Sequence, residues 1–330
     1  TIDLQRSNRF DYNEHNIEGY TQYIHTWNKL EFSAGLRIEY MYTFNKLSAY
    51  SNHKIEENNR KELRLFPNMA VSYTINDKNK LALLYSRRQD KPRYEDLNPF
   101  EYLLDELSYW KGNPFLKPQI SNKITLNYTR KSLSFNLYYN KLNDYFASLT
   151  DAFENNKTIM TTKNIGTQQQ IGLEATFSKH LNSWWNFSTN IGFYYFVNKL
   201  DYENYKQEYK RPSCSFSANS NILLPWGINF ELSGRYYSKR QGGSYEVSKS
   251  TGSIDLGLNK SWSDGRVRLS ILMTDVLHTE RWDSFGVKNA LKLSSWGYGE
   301  SRKIILRLSY SFGKQKLNKV EKSIEELDRL

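Results

Sequence analysis

Apolar and polar positions alternate along most of this chain with a period of two. Leu30, Phe32, Ala34, Leu36, Ile38, Tyr40, Tyr42 and Phe44 are interleaved with Glu31, Ser33, Gly35, Arg37, Glu39, Met41 and Thr43. The alternation returns in Leu133, Phe135, Leu137 and Tyr139, in Ile171, Leu173, Ala175 and Phe177, and in Ile304, Leu306, Leu308, Tyr310 and Phe312. Successive side chains of a strand point to opposite faces, so each run keeps one face dry and the other wet. At the 100° step of a helix the same residues would scatter around the cylinder. About thirteen strands are predicted, centred near residues 18, 36, 69, 84, 126, 137, 171, 191, 218, 233, 256, 271 and 306. The fold class is all-β.

The predicted connections alternate between two lengths. Short links fall at Trp27 to Lys29, Asn76 to Asn79, Arg130-Lys131, His180 to Trp184, Pro225 to Gly227 and Ser261 to Gly265. Long links fall at Asn45 to Glu62, Gln89 to Pro118, Ala147 to Lys157, Lys199 to Arg211, Lys239 to Ser250 and His278 to Tyr298. Short turns at one end and long loops at the other are the pattern of a transmembrane antiparallel up-and-down β-barrel of the outer membrane. Of the eight tryptophans, Trp27, Trp184, Trp185, Trp226 and Trp262 lie at or beside the short turns. Indoles gathered at one level suit a membrane-interface girdle. A soluble sandwich would place them mid-strand in its core, and strands of 10 or more residues exceed the usual 5–6.

Composition narrows the reading. Of 330 residues only 38% are hydrophobic, yet 15% are aromatic, which argues against disorder. No apolar run reaches the length of a membrane-spanning helix. A single cysteine, Cys214, leaves no disulfide framework or cysteine-based zinc cluster. The net charge is +11, but lysines and arginines are mixed with acids along the whole chain and form no nucleic-acid stripe. The wet-face charges Arg37, Glu39, Glu174, Glu231, Arg235, Asp255, Arg268 and Arg307 are expected to point into a hydrated lumen. Most would serve hydration and cross-strand ion pairing, each contributing at most about 1 kcal/mol.

Strand direction bears on completeness. The last strand follows a long loop, so it runs inward and ends near Phe312-Gly313. Counting back through an odd number of strands, the first also runs inward, and its start would lie outside the cell. Bacterial single-chain barrels have an even number of strands. Either one strand is miscounted or the chain is the C-terminal piece of a larger protein; the fragment is the favoured expectation, with 13–14 strands present.

The loops also carry a resemblance. Arg87-Arg88-Gln89-Asp90-Lys91-Pro92-Arg93-Tyr94-Glu95-Asp96-Leu97-Asn98-Pro99-Phe100, followed by Gly112-Asn113-Pro114-Phe115-Leu116-Lys117-Pro118-Gln119, resembles the outer-membrane β-barrel family of TonB-dependent receptors. Phe10-x-Tyr12-x-Glu14, Gly35-Leu36-Arg37-x-Glu39, Asn164-Ile165-Gly166 with Gly172-Leu173-Glu174, and the closing Tyr310-Ser311-Phe312-Gly313-Lys314 fit the same family. Lys91 stands where the family tends to have arginine, and Gln119 replaces an acid. The resemblance implies a 22-stranded barrel, an N-terminal plug domain inside it and coupling to TonB, with the plug and about nine strands preceding Thr1. It also implies a cell outer-membrane location among lipid and lipopolysaccharide, and energised uptake of a scarce small solute: a siderophore, an oligosaccharide or a peptide. A passive porin and a structural or adhesion barrel are the competing readings.

No residue pattern supports catalysis or a resident metal or cofactor. His15, His25, His53, His180 and His278 share no ligand spacing, and no Gly-x-Ser-x-Gly elbow or phosphate-cradling loop occurs. The loop Gln89 to Pro118 is the richest segment, with four prolines and six aromatic residues, a composition that favours an ordered, self-packed loop. Within it Tyr94, Tyr109 and Trp110, with Arg87 and Arg88 below, are the candidate ligand-binding residues. Aromatic faces suit rings, and arginine suits anions. Residues 1–313 are read as barrel. Residues 314–330 are read as a charged periplasmic tail, where Leu317, Val320, Ile324 and Leu327 recur at helical spacing.

Overall fold

Alternation of side chains between two faces builds nearly everything in the computed structural model, which describes residues 8–49, 55–154, 157–202, 205–242, 245–263, 265–288 and 291–312. The first strands are β1 (Asn8–Trp27), β2 (Leu30–Ala49), β3 (Ile55–Asn76) and β4 (Asn79–Asp90). A single helical turn, α1 (Tyr94–Leu97), then leads into a small hairpin of β5 (Glu101–Asp105) and β6 (Ser108–Lys111). The wall resumes with β7 (Gln119–Arg130), β8 (Leu133–Glu154), β9 (Lys157–Asn182), β10 (Trp185–Tyr202), β11 (Tyr205–Leu224) and β12 (Ile228–Tyr237). After β13 (Arg240–Gln241) and β14 (Glu246–Ser248) come β15 (Thr251–Trp262) and β16 (Val267–Thr274). The chain closes with β17 (Arg281–Lys288), β18 (Leu291–Tyr298) and β19 (Lys303–Tyr310).

Thirteen strands form one meander in the order β1-β2-β3-β4-β7-β8-β9-β10-β11-β12-β15-β16-β19, each antiparallel to its neighbour. These are the thirteen strands that the alternation predicts. β13, β14, β17 and β18 make a separate four-stranded sheet at the long-loop end. No pairing joins β1 to β19 among the described residues. The expected tail over 314–330 lies outside the described residues.

Burial in this wall is inverted relative to a soluble sheet. On β2, Glu39 is 1% exposed while its neighbour Ile38 is 43% exposed. On β3, the outward Leu63, Leu65, Met69, Val71 and Tyr73 are all exposed, whereas Phe66 on the other face is buried. A continuous apolar face of this size has no place in water. Against hydrocarbon it costs nothing, and the paired strands leave few backbone groups unsatisfied there. No helix is long and apolar enough to cross a membrane among the described residues.

The short links are turns, as expected. Asn28, Lys131 and Trp226 take positive φ there (52°, 50° and 64°), tightening the connections. The long links differ from expectation. At Asn45 to Glu62, Ala147 to Lys157 and Lys199 to Arg211 the strands continue upward as tall hairpins, paired as far as Ser48↔Ile55, Glu154↔Lys157 and Tyr202↔Tyr205. In β8 and β10 one face of the extension is buried in a cluster of Ala147, Leu149, Ile165, Leu200, Tyr202 and Tyr245, while Lys199 and Asp201 on the other face are exposed. Cross-strand ion pairs support these extensions: Lys46 meets Glu57 at 3.0 Å and Lys199 meets Glu208 at 3.5 Å, each pair in direct register.

Candidate functional site

The loop between β4 and β7 folds back against the inner face of the wall and is tied there residue by residue. The inward side of β1 carries Phe10, Tyr12 and Glu14, and the Tyr12 hydroxyl donates to Glu14 at 2.9 Å. Lys91, only 3% exposed in its side chain, bridges Glu14 at 3.1 Å and Glu39 at 3.5 Å. Arg37 pairs with Glu18 at 2.9 Å and Glu39 at 3.4 Å, and its guanidinium lies 4.6 Å from the Phe66 ring centroid. Gln89 donates to Glu39 and accepts from Arg64, which also pairs with Glu62. A buried ammonium between two carboxylates is stable only with its charge balanced in place, so this network locks the loop's first end to β1, β2 and β3.

The two asparagine-proline segments shape the middle of the loop. The Asn98 side chain accepts from the Phe100 amide at 3.2 Å, and Asn113 does the same for Phe115 at 3.0 Å. Each is an Asx turn, in which a side-chain carbonyl mimics a backbone one. The two turns cross at Gly112, where a Cβ would collide with the Asn98 carbonyl oxygen. Asp96, buried, accepts from the Thr162 hydroxyl at 3.3 Å, and the Asn113 amide nitrogen donates to the Asp96 carbonyl at 2.6 Å. The loop's exit is clamped from below. Arg60 donates twice to the Leu116 carbonyl at 3.1 Å, and Asn164 exchanges hydrogen bonds with the Lys117 backbone at 2.9 and 3.0 Å.

The hairpin of β5 and β6 then pairs in parallel with β9, Ser108↔Thr158 through Trp110↔Met160. A cleft of about 700 Å³ opens between this hairpin and the tall tops of β2, β3 and β9. Its rings are Phe100, Tyr109 and Phe115, with the Tyr102 ring on the other face of the hairpin in register with Trp110, and its charges are Glu56, Glu101, Lys111 and Lys163. Glu101 and Lys111 pair with each other at 3.0 Å.

Of the residues singled out in sequence, Tyr109 lines the cleft. Trp110, adjacent in β6, is half-buried and pairs in register with Met160 and Tyr102. Tyr94 packs edge-on against Tyr12 of β1, at 5.8 Å between centroids. Arg87 and Arg88 are exposed on β4, opposite Asn122 and Ser121, and neither lines the cleft. The five residues are thus not brought to one point. Phe100 and Phe115, which line the cleft, were legible only as members of an aromatic loop. In the sequence Lys91 is only a mild departure from the arginine usual in the family, and its seat between Glu14 and Glu39 is not legible there.

The other wet-face charges are distributed along the inner wall. Glu174 accepts from the Tyr138 and Tyr194 hydroxyls at 3.4 and 3.2 Å, and Gln170 donates to Tyr138 at 2.8 Å. Asn229 donates to Glu231 at 2.9 Å, Arg235 reaches Glu280 at 2.7 Å and Asp255 at 3.9 Å, and Arg268 donates to Ser261 at 3.4 Å. Arg307 sits on β19 in register with Ser270. The five turn-side tryptophans all lie at the short-turn end of the wall, with Trp184 stacked on Trp185 at 5.9 Å and the Trp185 indole donating to Ser220 at 2.8 Å.

Residues 1–310 match the outer membrane protein beta-barrel family. The chain belongs to that family. The resemblance read in the loop motifs is thereby borne out for the barrel, and the protein is one of the cell outer membrane. Solved structures share its fold at low identity. The ferric yersiniabactin uptake receptor FyuA from Yersinia pestis is 12% identical with a TM-score of 0.64, over 93% of this chain and 47% of that one. The siderophore receptor PiuA from Acinetobacter baumannii is 10% identical with a TM-score of 0.62, over 91% and 44%. The copper transporter OprC is 11% identical with a TM-score of 0.63, over 92% and 49%. This barrel chain spans about half the length of the solved structures it matches. No curated protein matches it in sequence.

Proposed function

We propose that this chain is the barrel portion of a TonB-dependent receptor for energised uptake of a small solute. The observation that carries the reading is the Gln89 to Pro118 loop, locked to the inner wall through Lys91 and Arg60 while it holds an aromatic cleft at the outer rim. A pre-built capture site is what a receptor for a scarce solute needs, because ordering the site in advance reduces the cost of binding. The fold likeness to FyuA, an uptake receptor, and to OprC, a copper transporter, supports the same class of activity, although their ligands are theirs alone.

The reading includes parts beyond this chain. Among the described residues β1 and β19 are the edges of the wall, and hydrocarbon does not accept an open sheet edge. Further strands of the same protein, about nine for the 22-stranded barrel that the resemblance implies, would close the wall, with a plug domain within it and TonB as the periplasmic partner. The test uses the full-length protein in planar bilayers. A plugged receptor holds the membrane closed to ions in the absence of TonB, whereas steady ion conductance would assign the protein to the passive pores instead.

A further inference from the structure

We infer that the cleft beside the β5–β6 hairpin takes an uncharged oligosaccharide; this rests on the uptake reading above and names its substrate class. Phe100, Tyr109 and Phe115 bring three rings to one cleft, and Phe115 is 59% exposed. Flat aromatic faces stack on the C–H faces of sugar rings and need no charge to do so. The cleft's volume of about 700 Å³ lies within the range of sites that enclose a small ligand.

Charge decides against an anionic chelate. The lining holds two acids, Glu56 and Glu101, and two lysines, Lys111 and Lys163. Glu101 and Lys111 neutralise each other at 3.0 Å. The two arginines that would favour an anion, Arg87 and Arg88, lie outside the cleft. An anion seated here would face as many carboxylates as ammonium groups and gain no net attraction. Among the described residues no group of three metal-ligating side chains occurs, so a bare metal ion has no cage either.

The edge of β5 decides against an extended peptide. A peptide that adds a strand needs a flat, regular free edge. β5 is only five residues long, begins and ends on the charges Glu101 and Asp105, and breaks register between Leu103 and Asp105. These are the devices by which proteins protect an edge from strand addition. Asn8 and Thr161 also line the cleft and are polar groups of the kind that meet sugar hydroxyls.

The experiment titrates the full-length detergent-purified protein with neutral tetrasaccharides of glucose, mannose, xylose and galactose, and with a ferric catecholate and tetra-alanine, by calorimetry. At least one tetrasaccharide binds, and its affinity holds when salt is raised about tenfold, because no ion pair is screened. Tyr109→Ala and Phe115→Ala each weaken it by about tenfold, the worth of one lost stacking contact. Tyr109→Phe keeps the ring and keeps binding, and retention of the heat-modifiable gel shift shows that all variants are folded. Failure of all four tetrasaccharides, or salt-sensitive binding of the catecholate or tetra-alanine that Tyr109→Ala abolishes, overturns the inference. The uptake reading is scored separately. Accumulation of the bound ligand by cells that stops when the proton gradient is discharged sustains that reading whichever ligand it is, and a tetrasaccharide that enters without the gradient overturns that reading while the inference stands.

Discussion

At the scale of single residues, the inner wall depends on side chains that fit only because a neighbour is small or oppositely charged. Tyr138 lies over Gly172, its register partner, where any Cβ would strike the ring. Gly172→Ala should push the ring off Glu174 and Gln170, at a cost of about 1–3 kcal/mol typical of overpacking. Gly19 has nothing within 4 Å of its would-be Cβ, so Gly19→Ala should stay within about 0.5 kcal/mol. Urea unfolding of the full-length protein in lipid separates the two, and equal shifts would contradict the packing account. Lys91 makes the second prediction. Lys91→Met leaves Glu14 and Glu39 facing each other without their shared cation, a loss of about 3–5 kcal/mol in the lock. Limited proteolysis should then cut between Gln89 and Pro118 in Lys91→Met and spare the parent protein.

Elements behave as units when one close approach holds them. The crossing of the two Asx turns at Gly112 leaves no space for a Cβ, and the obstructing atom is backbone rather than a side chain that could swing away. Gly112→Ala is therefore expected to unseat the β5–β6 hairpin while the thirteen-strand wall stays folded. Hydrogen exchange should accelerate in residues 101–111 and not in β7 or β8; a uniform acceleration would refute the separation. The four-stranded sheet has its own anchor in Asp275, which follows β16 with φ 44° and is fully buried. Burial opposes the charge of Asp275, but the Ser301 hydroxyl at 2.6 Å and the Thr279 and Glu280 amides at 2.8 and 3.1 Å outweigh it and hold the carboxyl below its ordinary pKa. A depressed folded pKa means that this stabilisation is complete above the unfolded value of about 4 and fades as pH falls through the folded one. Amides of β17 should thus exchange faster in strong acid than the intrinsic rate change explains. Asp275→Asn should show the faster exchange already at neutral pH.

For the whole molecule the decisive quantity is which face meets lipid. The five tryptophans at the short-turn end, Trp27, Trp184, Trp185, Trp226 and Trp262, are expected to sit at one interfacial level, where the ring is dry and the N–H is wet. Single-tryptophan variants of the full-length protein, reconstituted with lipids brominated at different depths, should be quenched most by bromines near the headgroups. Strongest quenching at the bilayer centre would move the membrane band up the wall. The tall hairpins above that band explain why strands as long as the 26 residues of β9 occur where about 9–11 suffice to cross hydrocarbon.

The sequence by itself determined the strand meander, the short turns and the two faces. Each of these follows from local alternation and turn chemistry, which neighbouring residues carry among themselves. Motif segments such as Leu97-Asn98-Pro99 and Gly112-Asn113-Pro114 were visible, but their role was not, because it lies in a crossing of the Gly112 backbone over that of Asn98, fourteen residues earlier in the chain. The heights of the hairpins escaped for a related reason: the buried faces there are short, as where Leu200 and Tyr202 alternate with Lys199 and Asp201, and only the partner strand shows that the chain continues. Tertiary structure alone decided that Lys91 seats between Glu14 and Glu39, and that Tyr109 shares a cleft with Phe100 and Phe115 while Arg87 and Arg88 stand apart. Those are long-range juxtapositions, set by how a loop is pinned across strands distant in sequence, and no local pattern encodes them.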